Sequence, residues 1–235
     1  MIQIDNLYKK FGKNEVLCGI ELDITKGGII AVLGPNGSGK TTLIKSILGM
    51  VIPNKGAISI DGKSIKNQWK YRQEIEYLPQ IANFPSNLKV KELVRMIKDL
   101  RQCESNENAL IELFGLTPFL DKKLATLSGG TKQKVNILLT FMFDSPLIIL
   151  DEPTTGLDPV ALIRLKELIG TEKEKGKTIL VTSHIMQFVE EIADRVIYLL
   201  EGQVYFQGSL DELKKQTNQN NVEHAIAAIA TTSHA

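Results

Sequence analysis

The stretch 34–42, GPNGSGKTT, restricts this 235-residue chain more than any other. It fits G-x-x-x-x-G-K-[ST] and stands where that pattern has a mechanism. An apolar run, IIAVLG at 29–34, precedes it; a helix-like segment, Thr41 to Leu48, follows and is stopped by Gly49. Glycines let the backbone curl so that successive N–H groups point inward, and the dipole of the next helix adds partial positive charge. Gly34, Pro35, Asn36, Gly37, Ser38, Gly39 and Thr42 then form a phosphate cradle. Lys40 reaches the β- and γ-phosphates of a nucleotide, and Thr41 sets its hydroxyl on Mg²⁺.

Two further apolar runs share this texture: LIILDE at 147–152 and TILVTSH at 178–184. Apolar on both faces, they read with IIAVLG as central parallel strands of an α/β core. Period-two patterning appears elsewhere, with Ile20, Leu22 and Ile24 against Glu21 and Asp23, and Ile58 and Ile60 against Ser59 and Asp61. Those stretches predict half-buried antiparallel strands, and LLEGQVYFQG at 199–208 predicts a hairpin turning at Glu201-Gly202. Ile185, Phe188, Val189, Ile192, Ala193 and Val196 fall at helical spacing. Roughly a hundred residues separate the first core strand from LIILDE, far more than a crossover needs. Val90, Leu93, Val94 and Ile97, then residues 107–114, predict a helical lobe inserted in the core at about 84–140.

Chemistry gathers at the strand ends. Adjacent Asp151 and Glu152 leave a buried strand and would repel each other unless a cation compensates. Beside a phosphate loop, Asp151 suits Mg²⁺ held through water, and Glu152 suits orienting the attacking water. His184, at the end of the next strand, is a candidate contact for the γ-phosphate. Gln80, in YLPQIANFP, is a candidate Mg²⁺ ligand or sensor. A second helix start, TLSGGTKQK at 126–134, offers serine and glycine donors without a lysine. Why one chain needs two anion cradles is not answered by either alone.

Composition narrows the class. A net charge of +1 and a pI near 7.7 give no electrostatic signature for nucleic acid. Two distant cysteines, Cys18 and Cys103, suit a reduced cytoplasmic setting. Neither a signal peptide nor an apolar run long enough for a membrane span is evident, so a soluble chain is expected. Residues 216–235 mix amides with small residues and predict a short, frayed helical tail.

Taken in order, the motifs identify a family. The chain resembles the ATP-binding subunit of ABC transporters through GPNGSGKTT (Walker A), YLPQ (Q-loop), LSGG (signature), LIILDE (Walker B), TTGLD (D-loop) and TSH (H-loop). The resemblance implies a P-loop NTPase core with a parallel sheet, an antiparallel β subdomain and the inserted helical lobe, over about residues 1–215. It also implies a MgATP hydrolase with Glu152 and His184 catalytic, and Thr41, Gln80 and Asp151 about the metal. An upstream aromatic stacks on adenine in this family; Phe11 fits that position, with Tyr8 the alternative. Two copies pair head to tail, so that Ser128, Gly129 and Gly130 bind the γ-phosphate held by a partner, with Asp158 at the same interface. Separate transmembrane permease subunits would hold the dimer at the cytoplasmic face of the membrane. Position 131 is Thr, where the family most often has Gln. LSGGTKQKV and the compact length resemble ATPases of exporter-type systems, including those linked to copper-enzyme maturation. The competing expectation is a non-transport ABC ATPase acting on nucleic acid or ribosomes.

Overall fold

The apolar run before the cradle becomes a strand buried on both faces, and the rest of the molecule is layered around it. A computed structural model describes residues 1–232, with side chains for residues 1–230. The chain opens with strands β1 (Ile2–Phe11), β2 (Asn14–Ile24) and β3 (Gly28–Leu33), then helix α1 (Lys40–Ile47). Strands β4 (Lys55–Ile60), β5 (Lys63–Ser64) and β6 (Ile75–Leu78) follow. Helices α2 (Val90–Arg101), α3 (Glu107–Leu113) and α4 (Gly129–Phe141) fill the expected lobe region. The chain then alternates through β7 (Leu147–Asp151), α5 (Pro159–Glu174), β8 (Thr178–Thr182) and α6 (Met186–Ile192). It ends with β9 (Arg195–Leu200), β10 (Gln203–Ser209), α7 (Leu210–Thr217) and α8 (Val222–Thr232).

Two sheets result. One has the order β2-β1-β4-β5 and is antiparallel. The other runs β10-β9-β3-β8-β7-β6, parallel except for the β9–β10 hairpin. Alternation along the parallel strands serves two cores. Ile29, Ala31 and Leu33 of β3, with Ile148, Leu150, Ile179 and Val181, pack against the lobe and the C-terminal helices. Ile30 and Val32, with Leu147, Ile149 and Leu180, pack against α1 and the antiparallel sheet. Each valine, leucine or isoleucine among them contributes about 1.5–3 kcal/mol through burial, which fixes strand register.

The structure departs from the expected helix at 185–196. Helix α6 stops at Ile192, and Val196 lies on β9. Asp194 explains the stop: its N–H donates to Ile29 O and its Oδ2 accepts from Ile29 N, each at 2.9 Å, which pulls the chain onto β3. The tail boundary after 215 falls inside α7, where Ser209 and Glu212 form a reciprocal N-terminal cap. Within the tail, α8 buries Val222 and Ala225 completely, with Ile226 and Ile229 packed on the same core. The last three residues of that predicted tail, 233–235, lie outside the described residues.

Candidate functional site

Because β3, β8 and β7 are parallel, their carboxyl ends share one edge, and the register sets Asp151 opposite Thr182 and Thr182 opposite Val32. The segments that leave this edge are the ones carrying Gly34, Glu152 and His184. The first two border a cavity of about 260 Å³ lined by Asn14, Val16, Asn36, Gly37, Gly39, Lys40, Thr41, Thr42, Gln80, Asp151 and Glu152, while His184 lies outside that lining and reaches it through Glu152.

Gly34 makes the turn possible. At φ 150°, a methyl group here would lie 2.1 Å from Leu199 O. Helix α1 then begins at Lys40 with no side-chain cap and no acidic residue in its first turn. Its leading N–H groups, which have no partner within the helix, therefore border the cavity as donors. Ser38 Oγ is buried without a hydrogen-bond partner among the described residues. Orphan donors, a buried hydroxyl and a cation fit a polyphosphate. Lys40 Nζ donates to Gly34 O at 2.7 Å and to Pro35 O at 3.0 Å, which folds it over the loop. Burial pushes its ammonium below the usual lysine range, while Glu152 and Asp151 oppose that shift.

Asp151 and Glu152 are both buried. Asp151 Oδ1 accepts from the Thr182 hydroxyl at 2.6 Å, and the Tyr77 side chain is hydrogen-bonded to the same carboxylate. Burial, then the charge and hydrogen bond of Asp151, push the Tyr77 phenol up to about 12. Glu152 has φ 51°, the left-handed region. Its N–H donates to Thr182 Oγ1 at 3.0 Å and to Thr182 O at 3.2 Å. Its Oε2 lies 2.8 Å from His184 Nδ1, and the His184 side chain is largely exposed. Gln80 is exposed at the cavity wall. Thr41, Gln80 and Asp151 thus border one space, and among the described residues no group of three or more His, Cys, Asp or Glu side chains is arranged to hold an ion unaided. That donor set suits Mg²⁺, which takes one carboxylate, a hydroxyl and substrate phosphates.

Phe11 is half exposed and is not a lining residue; it pairs across the β1–β2 hairpin with Asn14, which is. Lys9 Nζ sits 4.8 Å from the Phe11 ring centroid. Tyr8 is near Gly19, where an added methyl would lie 2.9 Å from its hydroxyl oxygen.

The second cradle is absent from the cavity lining. Ser128 is the N-cap of α4, its Oγ accepting from Thr131 N at 3.2 Å and lying 2.9 Å from Thr131 Oγ1. Ser128 and Gly129 are exposed, and Gly130 is packed so closely that a methyl would meet Gly156 O at 2.7 Å. Asp158 caps α5 through Ala161 N at 2.9 Å and pairs with Lys134 Nζ at 2.6 Å. The Lys134 hydrogen bond, then the backbone N–H of Ala161, hold its carboxyl below the usual range.

Sequence reasoning missed Thr182, Tyr77, Asn14 and Val16. The signal for Thr182 was present, two residues before His184 at a buried strand's end. The other three reach the site only through strand pairing.

A model of the ABC transporter family matches residues 17–155. The ABC transporter ATP-binding protein YhaQ of Bacillus subtilis is 34% identical over 94% of this chain and 76% of its own length. The lantibiotic transport ATP-binding protein SrtF of Streptococcus pyogenes is 34% identical over 90% of this chain and 92% of its own. Among solved structures, an ATP-binding subunit of an ABC transporter superposes with TM-score 0.91 at 30% identity, covering 98% of this chain and 99% of that one. A dimeric post-hydrolysis cassette bound to ADP and Pi superposes with TM-score 0.80 at 27% identity, covering 89% and 99%. With its cradle, its strand-end carboxylates and these relatives in agreement, the chain belongs to the ATP-binding proteins of the ABC transporter family.

Proposed function

We propose that this chain hydrolyses MgATP as a head-to-tail homodimer and so drives transport through separate membrane subunits. The observation that carries the reading is the separation of the two cradles. Lys40 and Glu152 share a cavity, whereas Ser128 and Gly129 face solvent outside it. A second copy turned against the first would bring its Ser128, Gly129 and Gly130 over the nucleotide held by Lys40. The dimeric cassette bound to ADP and Pi supports that pairing by similarity.

The roles follow from the geometry. Phe11, at the rim beside Asn14, stacks on adenine. Residues 34–42 hold the phosphates by backbone donors, and Lys40 exchanges its carbonyl partners for the β- and γ-phosphates. Thr41, Asp151 and Gln80 would hold Mg²⁺, which would supply neutralisation of the charge on the phosphates. Glu152 orients the attacking water, and His184, tied to it at 2.8 Å, reaches the γ-phosphate. Asp158 lies at the start of α5 on the face offered to the partner. Hydrolysis removes the group that the partner's serine and glycines grip, so the dimer loosens once per turnover.

Among the described residues no helix is long and apolar enough to cross a membrane. In this reading other chains form the passage and hold this one at the cytoplasmic face of the membrane. Ile81, in the Q-loop, is 72% exposed, and Met96 and Leu100 of α2 are exposed too, while Phe84 packs inward. Those exposed apolar residues are the docking surface for the membrane subunits. Phosphate release by the purified chain tests the reading. Steady release that needs Mg²⁺ supports it, and release unchanged by Glu152→Gln contradicts it.

A further inference from the structure

Helix α4, capped by Ser128, carries three buried polar side chains in its body: Gln133, Asn136 and Thr140. Spacings of three and four residues put them on one helix face. Their neighbours Val135, Ile137 and Leu138 are buried and apolar, so amides here cost stability unless they are bonded. All three are bonded, and two reach places where the chemistry is held. Gln133 Nε2 donates to Pro153 O at 2.9 Å, one residue after Glu152. Asn136 Nδ2 donates to Pro79 O at 3.1 Å, one residue before Gln80. Thr140 Oγ1 donates to Asn136 O at 2.9 Å within the helix.

The Asn136 bond matters most because of where the strand ends. β6 stops at Leu78, and Pro79 has no N–H to continue the ladder. The Pro79 carbonyl is then the backbone handle by which this segment is held, and it belongs to the same peptide plane as the Gln80 N–H. Fixing that plane fixes the direction in which the chain enters Gln80 at the cavity wall. We propose that Asn136 is a positioning residue for Gln80, aiming its side chain at the Mg²⁺ of the bound nucleotide. The proposal rests on the reading of Gln80 as a metal contact, so the two must fail separately.

The experiment uses the full chain carrying Glu152→Gln, so that no turnover intervenes. Calorimetry measures ATP affinity with Mg²⁺ and again with EDTA, and the ratio reports the metal's contribution. Gln80→Ala should lower that ratio about tenfold, as should Asn136→Leu, which keeps the branched four-atom shape of the side chain and deletes the donor. Combining the two should lower it no further, because both act through one contact. Affinity in EDTA should stay unchanged throughout. A ratio lowered by Gln80→Ala but not by Asn136→Leu overturns the proposal and keeps the metal reading. A ratio unmoved by Gln80→Ala overturns both. Loss of affinity in EDTA as well would mean that Asn136 merely holds the fold, which also overturns it. Asn136→Ala serves as the second variant, to be read the same way if leucine overfills the site.

Discussion

Glu152 Oε2 lies 2.8 Å from His184 Nδ1, and the glutamate reaches that position on a left-handed backbone, φ 51°. A non-glycine residue in that region costs about 1–3 kcal/mol and persists only where its surroundings insist on it. Thr182 does the insisting, because its hydroxyl and its carbonyl both accept the Glu152 N–H. The same hydroxyl donates to Asp151. One threonine thereby fixes both carboxylates, and the strained turn swings Glu152 off the strand line toward the histidine.

Replacing Glu152 by glutamine keeps the shape and removes the charge that polarises water. Turnover should vanish while ATP binding remains, and the ATP-bound dimer should persist. Phosphate release together with filter binding of labelled ATP checks both halves.

Thr182→Val leaves a buried carboxylate with one donor fewer and a buried N–H with one acceptor fewer. The loss should be about 1–3 kcal/mol, read from urea denaturation. Thr182→Ser restores the hydroxyl and should recover most of it. Equal midpoints for wild type and Thr182→Val would contradict the placement of that hydroxyl.

Lys40→Ala removes a charge-assisted contact to the phosphates, worth about 1.5–3 kcal/mol. ATP affinity measured by calorimetry should fall about tenfold to a hundredfold. AMP, which lacks the β- and γ-phosphates, should lose little.

The C-terminal helices carry a pH dependence of their own. Burial works against ionisation of Glu190, but the hydrogen bonds from Lys214 and from the Val222 N–H outweigh it and hold the carboxyl below the usual range. A depressed pKa contributes stability that is present above the ordinary glutamate value and is lost as pH falls through the folded one. Amide exchange at Val222 should therefore be slow at neutral pH and faster, relative to the intrinsic rate, once pH drops below the usual carboxylate range. Glu190→Gln should flatten that dependence.

Much of this was legible in the sequence where the physics is local. A phosphate loop needs its glycines, lysine and threonine contiguous, so residues 34–42 announce themselves, and both-face burial makes β3, β7 and β8 continuous apolar runs. Contacts made by register were not legible. Thr182 faces Asp151 only because β7 and β8 pair in parallel, and Asn14 reaches the cavity only through the hairpin with β1. The helix expected to run to Val196 failed because the spacing continued by coincidence, while Asp194 had already committed the chain to β3. In the tail, Val222, Ala225, Ile226 and Ile229 stand at helical spacing, yet amides and small residues between them masked the stripe.

The central claim is that two copies complete each other's site, and light scattering on the Glu152→Gln chain tests it most directly. With MgATP the mass should double, and adding Ser128→Arg should hold it at the monomer value while calorimetry still finds ATP bound. A dimer that forms equally well with Ser128→Arg, or a Glu152→Gln chain that stays monomeric at saturating MgATP, would contradict the account.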